Sequence, residues 1–272
     1  LINDQRFRHV SFYKNISKNK GAGACRNIGL QKLQGEWVLF ADADDYLLED
    51  FYTTVKKYFN TDNDVVFFTP TSIVLETGDE ADRHIVYKNI IENYIKNKDR
   101  RAELSLRYQF PVPWSKLINV KFLKENKITF DEVIASNDVM FSTKVGHHMK
   151  RFQVTNETIY CVTKNKGSLT VNLSEKIFDA RLLTHIKYHN YLKSKLSSDE
   201  LLKLELKGSM GFLINTLKYN LGLKKLFSTY LLLRKSRIKI FDLKYLNPIF
   251  FIKRVIYQYR IYIRDKKYYI KD

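Results

Sequence analysis

Two hydrophobic patterns organise this chain: short continuous apolar runs, and longer stretches with helical spacing. Trp37 to Ala41 is one continuous run, and Asp64 to Thr69 carries another in Val65-Val66-Phe67-Phe68. Runs this short predict strands buried on both faces, as in a sheet covered by helices. Arg151 to Val154 and Thr158 to Thr163 read as closing strands, and the weak alternation from His9 to Tyr13 predicts a short one. Helical spacing fills the intervals. Ala24, Ile28, Leu30 and Leu33 give one face to a helix over 22–33, with Gly35 as its stop. Phe51, Val55, Tyr58 and Phe59 predict another, and two more follow over 88–96 and 101–107. Ile73–Leu75 and Ile85–Tyr87 flank the polar turn Gly78-Asp79-Glu80 and predict a hairpin. Pro111 and Pro113 force an extended passage into Trp114. Ser136 is placed to N-cap a helix running to His148.

Past residue 170 the strand pattern stops. Helical patterns cover 177–192 and 201–221, the second introduced by Ser197-Ser198-Asp199-Glu200, which has capping-box spacing. Strands alternating with helices, then helices alone, predict an α/β domain over 1–172 followed by a helical region over 173–272. At 272 residues and 44% hydrophobic, the chain can bury a full core, while 10 Gly and 4 Pro argue against a loop-rich sandwich or a disordered chain. A net charge of +18 favours an anionic partner, whether a phosphate-bearing ligand, an acidic membrane surface or nucleic acid. Cys25 and Cys161 are too few for a disulfide framework and have no metal-ligand spacing, so a reduced, cytoplasmic compartment is expected. No stretch approaches the ~18 apolar residues of a spanning helix.

Candidate chemistry begins where the first buried run ends. Asp42, Asp44 and Asp45 follow Trp37–Ala41 at once, at the end of a strand where open α/β sheets bind their ligands. Clustered carboxylates repel one another, and a divalent cation with oxygen ligands is the simplest way to hold them together. The structural alternative is a solvated turn with Asp45 capping the next helix. Gly21-Ala22-Gly23 invites a dinucleotide fingerprint, but the third glycine position is Arg26, which excludes it. His147 and His148 have no H-E-x-x-H partner and read as surface or interface residues.

The order of these motifs resembles the family 2 glycosyltransferases of GT-A fold. Asn19-Lys20-Gly21, Arg26-Asn27-Ile28-Gly29, then Gly35-Glu36 and the acid cluster match one half of that pattern. Trp114-Ser115-Lys116-Leu117, Ile128-Thr129-Phe130, Asn137-Asp138 with Phe141, Tyr160, and Gly167-Ser168-Leu169-Thr170 match the other. Two departures stand out. Leu1 aligns with the family's third strand, so the first strands and an acidic nucleotide-binding turn are expected to be missing, and Asn137 stands where the family has Glu.

The resemblance implies a mixed, mostly parallel sheet flanked by helices and a metal-dependent, inverting transfer of sugar from a nucleotide-sugar, a UDP-sugar by expectation. It implies Asp138 as general base, Asp42 on the ribose side of the nucleotide, Asp44 as the ligand of Mg²⁺ or Mn²⁺, and Arg26 beside the diphosphate. Trp114 and Lys116 are implied at the acceptor, a glycan or lipid-linked sugar of cell-surface polysaccharide synthesis. From Lys224 to Lys271 basic residues interleave with Tyr230-Leu231-Leu232-Leu233 and Ile249-Phe250-Phe251-Ile252, a composition suited to an anionic membrane surface and a peripheral position on the inner membrane face. Two other readings compete. A nucleic-acid-binding protein explains the charge, but no zinc-finger spacing or RNP-like motif is present. A noncatalytic remnant or assembly partner explains the missing start.

Overall fold

The computed structural model describes residues 9–16, 21–164, 174–206, 208–241, 247–249, 252–253 and 256. In chain order the elements are α1 (Ala22–Gln31), β1 (Trp37–Leu39), β2 (Tyr46–Leu47), α2 (Phe51–Lys56), β3 (Val65–Phe68), β4 (Thr71–Val74), α3 (Ile85–Asn97), α4 (Arg100–Tyr108), β5 (Lys116–Asn119), α5 (Val120–Glu125), α6 (Asn137–His148), β6 (Phe152–Thr155) and β7 (Tyr160–Lys164). α7 (Glu175–Lys195), α8 (Ser198–Leu204), α9 (Met210–Lys218) and α10 (Gly222–Lys235) complete the described part.

One sheet has the strand order β1-β5-β3-β6. β5 runs antiparallel to both β1 and β3, while β3 and β6 are parallel, so three of the four strands share a direction and β5 opposes them. The mixed, mostly co-directional α/β arrangement expected of a GT-A-like chain is therefore present. A smaller sheet, β2-β7-β4, pairs β2 antiparallel and β4 parallel to β7.

Alternation along the strands explains why their runs are continuously apolar. Val38, Val65, Phe67 and Ile118 enter one core with Ile91, Leu106, Phe122 and Phe141 from the helices on that face. Val66, Phe68 and Leu117 enter another with Val55, Tyr58, Trp114 and Tyr160. Both faces are dry, so neither side of a strand tolerates a polar pattern. The C-terminal helices form their own apolar cluster from Phe178, Leu182, Leu213 and Leu233. They also pack back on α4, where Leu104 and Tyr108 meet Leu192 and Leu204.

Several expectations are corrected. Residues 85–87 open helix α3 instead of closing a hairpin, and β4 instead pairs in parallel with β7. His9–Tyr13 is irregular. The helix expected over 201–221 is two helices: α8 ends on Glu205 in the left-handed conformation, and α9 restarts where Ser209 and Met210 donate to the carbonyls of Lys239 and Ile240. Asp45 caps no helix, because β2 follows it directly. Ser136 holds the N-cap position of α6 but sits at φ 58° and makes no capping bond. The capping box at Ser197 and Glu200 is present in full. Asn19, Lys20, the Gly167–Thr170 motif, the proposed boundary at 172 and most of the tail beyond 241 lie outside the described residues.

Candidate active site

β1 delivers the acid cluster to its carboxyl end, and β7 fixes it there. The Tyr160 hydroxyl accepts from the Asp42 N–H at 2.8 Å and donates to Asp45 Oδ2 at 2.8 Å. Thr163 donates its N–H to Asp45 Oδ1 at 2.7 Å and its hydroxyl to the Asp44 carbonyl at 2.6 Å. Tyr160 is wholly buried, and Trp114 stacks on its ring at 5.4 Å with 9° between the planes. Burial raises the Asp45 carboxyl above the ordinary carboxylate range, opposed by the hydrogen bonds from Thr163 and Tyr160.

Arg26 ties this cluster to the start of α6. Its Nη2 donates to Asp42 Oδ1 and its Nη1 to Asn137 Oδ1 at 2.7 Å, with the guanidinium 5.4 Å from the centre of the Phe130 ring. Three motifs far apart in sequence thereby converge on one side chain. Asn137 offers the acceptor that a glutamate would offer, but without its charge, so Asp42 alone balances the guanidinium within this trio. Gly23 makes the approach possible: a Cβ there would stand 2.2 Å from the Asp131 carbonyl oxygen, and α1 would be pushed off the segment leading into α6. Asn27 holds the same segment from the other side, accepting from the Phe130 N–H at 2.9 Å and donating to its carbonyl at 3.0 Å.

Asp138 lies in the first turn of α6. Desolvation raises its carboxyl above the usual range, Asp42 adds to the effect, and Arg26 and Lys116 oppose it. Tyr87 stands close enough for Asp138 to help raise its phenol, which burial chiefly pushes up to about 12.

Trp114 and Lys116 depart from the acceptor placement the resemblance implies. Trp114 is 5% exposed and Lys116 is 2% exposed, so neither presents a face to a ligand. Lys116 donates Nζ to the Phe110 carbonyl at 2.7 Å and lies over the Phe110 ring at 4.8 Å. Burial lowers its ammonium to about 7, and Asp138 opposes that shift. Lys116 thus acts on Asp138 through charge from inside the core, while Trp114 supports Tyr160. Among the site residues, Thr163 and Tyr87 carried no functional signal in sequence, and Asn27 and Tyr160 stood only as positions in motifs. Their roles depend on strand pairing and helix packing across separations such as the 118 residues between Asp45 and Thr163.

The donor set suits a hard divalent ion. Asp42 is engaged by Arg26, and Asp45 by Tyr160 and Thr163, which leaves the exposed Asp44 carboxylate as the member with no hydrogen bond or ion pair among the described residues. No group of three or more His, Cys, Asp or Glu side chains among the described residues is arranged to hold a metal by itself. A single exposed carboxylate is a hard oxygen donor of the kind Mg²⁺ takes together with substrate phosphates, in contrast to an all-protein cage.

Comparison with known proteins gives a consistent result. Residues 4–126 match the model of the family described as glycosyl transferase family 2. EpsH of Bacillus subtilis (strain 168), assigned as a glycosyltransferase, is 21% identical over 187 residues, covering 66% of this chain and 51% of that protein. TarS of Staphylococcus aureus (strain Mu50 / ATCC 700699), a poly(ribitol-phosphate) beta-N-acetylglucosaminyltransferase, is 24% identical over 185 residues, covering 60% of this chain and 29% of that protein. The crystal structure of S. aureus TarS 1-349 in complex with UDP-GlcNAc aligns with a TM-score of 0.48 at 20% identity, over 73% of this chain and 53% of that one. The chain thus spans about half, or less, of the length of the relatives it matches. The family match over residues 4–126 and the similarity to glycosyltransferases agree with the motif order read from the residues: this part of the chain is similar to the family 2 glycosyltransferases.

Proposed function

We propose that this chain transfers a sugar from a nucleotide-sugar, a UDP-sugar in the first instance, to a hydroxyl of a glycan or lipid-linked acceptor in surface-polysaccharide synthesis, with inversion at the anomeric carbon. The observation that carries the reading is the convergence of Arg26, Asp42 and Asn137 beside Asp138, with the exposed Asp44 carboxylate at the same strand end.

Asp138 takes the proton from the acceptor hydroxyl. The hydroxyl oxygen forms its bond to the anomeric carbon as the bond from that carbon to the diphosphate oxygen breaks. A carboxyl raised by burial is a stronger proton acceptor than an exposed aspartate, which suits general-base work near neutrality. Arg26 lies where its guanidinium can exchange part of its bonding to Asp42 and Asn137 for the donor's phosphate oxygens. Asp42 serves the ribose side of the nucleotide. Asp44 would hold Mg²⁺ or Mn²⁺, which when bound supplies positive charge to the departing diphosphate. Trp114 and Tyr160 act indirectly, by keeping Asp42 and Asp45 in register.

The basic C-terminal part is assigned to an anionic membrane surface, with the protein peripheral on the cytoplasmic face. Leu223, Phe227 and Leu231 recur every fourth residue along α10 and are exposed, with Lys224, Arg234 and Lys235 exposed around them. No described helix is long and apolar enough to cross a membrane.

Calorimetric titration of UDP with Mn²⁺, and again with EDTA, tests the donor site. Metal-dependent binding that Asp44→Ala abolishes supports it. Absence of binding in this chain and in a longer form extended at its N-terminus favours a noncatalytic role.

A further inference from the structure

Asn137 carries a polar group that the chemistry above leaves idle. The residue opens α6, is 9% exposed, and accepts at Oδ1 from Arg26 Nη1 at 2.7 Å. A guanidinium has donors only, so the amide oxygen must face Arg26 and the amide NH₂ must be turned away from it. That NH₂ has no hydrogen-bond partner among the described residues. Nor is it sealed in: the buried side-chain atoms without a partner are Ser115 Oγ, Ser142 Oγ and Thr229 Oγ1, so Asn137 Nδ2 keeps an opening through which a ligand can reach it. We propose that Asn137 is a donor-binding residue, whose NH₂ donates to a phosphoryl oxygen of the nucleotide-sugar's diphosphate beside Arg26. The inference rests on the transferase reading above and adds a residue to its donor site.

The balance of donors and acceptors points to phosphate. Two of the five guanidinium N–H donors of Arg26 are engaged, by Asp42 and Asn137, and the others have no hydrogen-bond partner among the described residues. With the Asn137 NH₂ they form a cluster of donors that lacks acceptors. A diphosphate brings acceptor oxygens and no donors, whereas every sugar hydroxyl brings a donor of its own. The backbone adds to the same field. Ser136 makes no capping bond to α6, and the positive end of this 12-residue helix lies at Asn137.

Neutrality matters as much as the donor. A carboxylate at 137 would bind Arg26 by a stronger, charge-assisted bond and give the Arg26, Asp42 and 137 trio a net negative charge, which repels a diphosphate. The amide leaves the trio neutral. Asp138 leaves the helix about 100° further round, so the two neighbours serve different directions. Asn137 goes to Arg26, and Asp138 to the surroundings of Lys116 and Tyr87, whose protons its charge shifts.

The clamp is held before any ligand arrives. Phe130 lies under the guanidinium at 5.4 Å and stacks on Phe141 of α6 at 3.8 Å, and Asn27 bonds both backbone groups of Phe130. Such preorganisation lowers the ordering cost of binding.

The test is calorimetric titration of UDP, pyrophosphate, uridine and UDP-glucose into the full chain with Mg²⁺, for wild type, Asn137→Ala and Asn137→Asp. Asn137→Ala should weaken UDP and pyrophosphate alike by about tenfold, as loss of a hydrogen bond to a charged group does, and Asn137→Asp should weaken both further. Uridine, which has no phosphate, should bind all three proteins equally. UDP and pyrophosphate affinities within twofold of wild type in both variants overturn the proposal. So does an equal loss of uridine, which would make Asn137 structural, and so does a loss confined to UDP-glucose, which would give the amide to the sugar. Pyrophosphate binding that depends on Asn137, without binding of UDP or uridine, keeps the anion site and removes the nucleotide-sugar reading. UDP binding indifferent to Asn137 removes this inference alone, and failure of wild type to bind any of the four removes both.

Discussion

Tyr160→Phe isolates the clamp on the acid cluster, because it removes one oxygen and leaves the packing in place. The ring is fully buried and stacked on Trp114, and phenylalanine keeps both features. Two hydrogen bonds are lost. The bond from the Asp42 N–H to the phenol oxygen is between neutral groups and contributes about 1 kcal/mol, and the bond to the Asp45 carboxylate about 1.5–3 kcal/mol. Asp42 and Asp45 are half-buried, so water recovers part of this, and the expected net loss is about 2–3 kcal/mol. Without the phenol donor the Asp45 carboxyl should rise further, since that bond now holds it down. Urea unfolding at pH 7 reads the stability, and titration of UDP with Mn²⁺ reads the cluster, where weakening of about tenfold is expected for the loss of ~1.4 kcal/mol of positioning. A stability loss below about 0.5 kcal/mol with UDP affinity within twofold of wild type would refute the clamp, because a surface-like change of that size means the bonds do not constrain the loop.

Three further outcomes follow from the same geometry. Asp138→Asn in the complete protein should lower turnover by ~10²-fold or more, and retention of a tenth of wild-type activity would remove it as base. Because the folded chain holds the Asp138 proton above the ordinary value of 3.8, this residue makes stability fall as pH rises through its folded value, so the asparagine variant should be no less stable than wild type at pH 7. Lys116 has the opposite dependence: with its folded value lowered to about 7 from 10.5, the unfolded chain takes up the proton first as pH falls, and stability rises with pH across that window. Urea titrations of wild type against Lys116→Met should diverge by about 2 kcal/mol between pH 7 and pH 9, and parallel curves would show that the ammonium is not desolvated. Finally, vesicles containing phosphatidylserine should sediment the chain at low salt, neutral vesicles should not, and replacing Leu223, Phe227 and Leu231 with serine should abolish the effect. Equal sedimentation by the triple variant would exclude the α10 face.

What the sequence determined by itself was whatever depends on neighbours in the chain. The runs at 37–41 and 64–69 announce strands buried on both faces, because no polar residue interrupts them. Gly21 and Gly23 before Arg26, and the acids directly after Trp37–Ala41, place a charged cluster at a strand end. The Ser197–Glu200 capping box is a contact over three residues and is realised as read. The tertiary structure decided whatever depends on partners far along the chain. Residues 85–87 have strand-like composition, yet they open α3, and Ile90 and Ile91 of that helix are buried in the core. β5 at 116–119 is a strand because β1 and β3 offer it edges on both sides. Lys116, implied at the acceptor by the resemblance, is one of the most buried side chains, since the Phe110 carbonyl and ring and the Asp138 charge are brought to it by folding. Trp114 likewise faces Tyr160 and not solvent. Local pattern records the preference of a backbone for helix or strand and the apolarity of a face, but a side chain's protonation, reach and exposure follow from the groups that close around it, and those are set by packing across the whole chain.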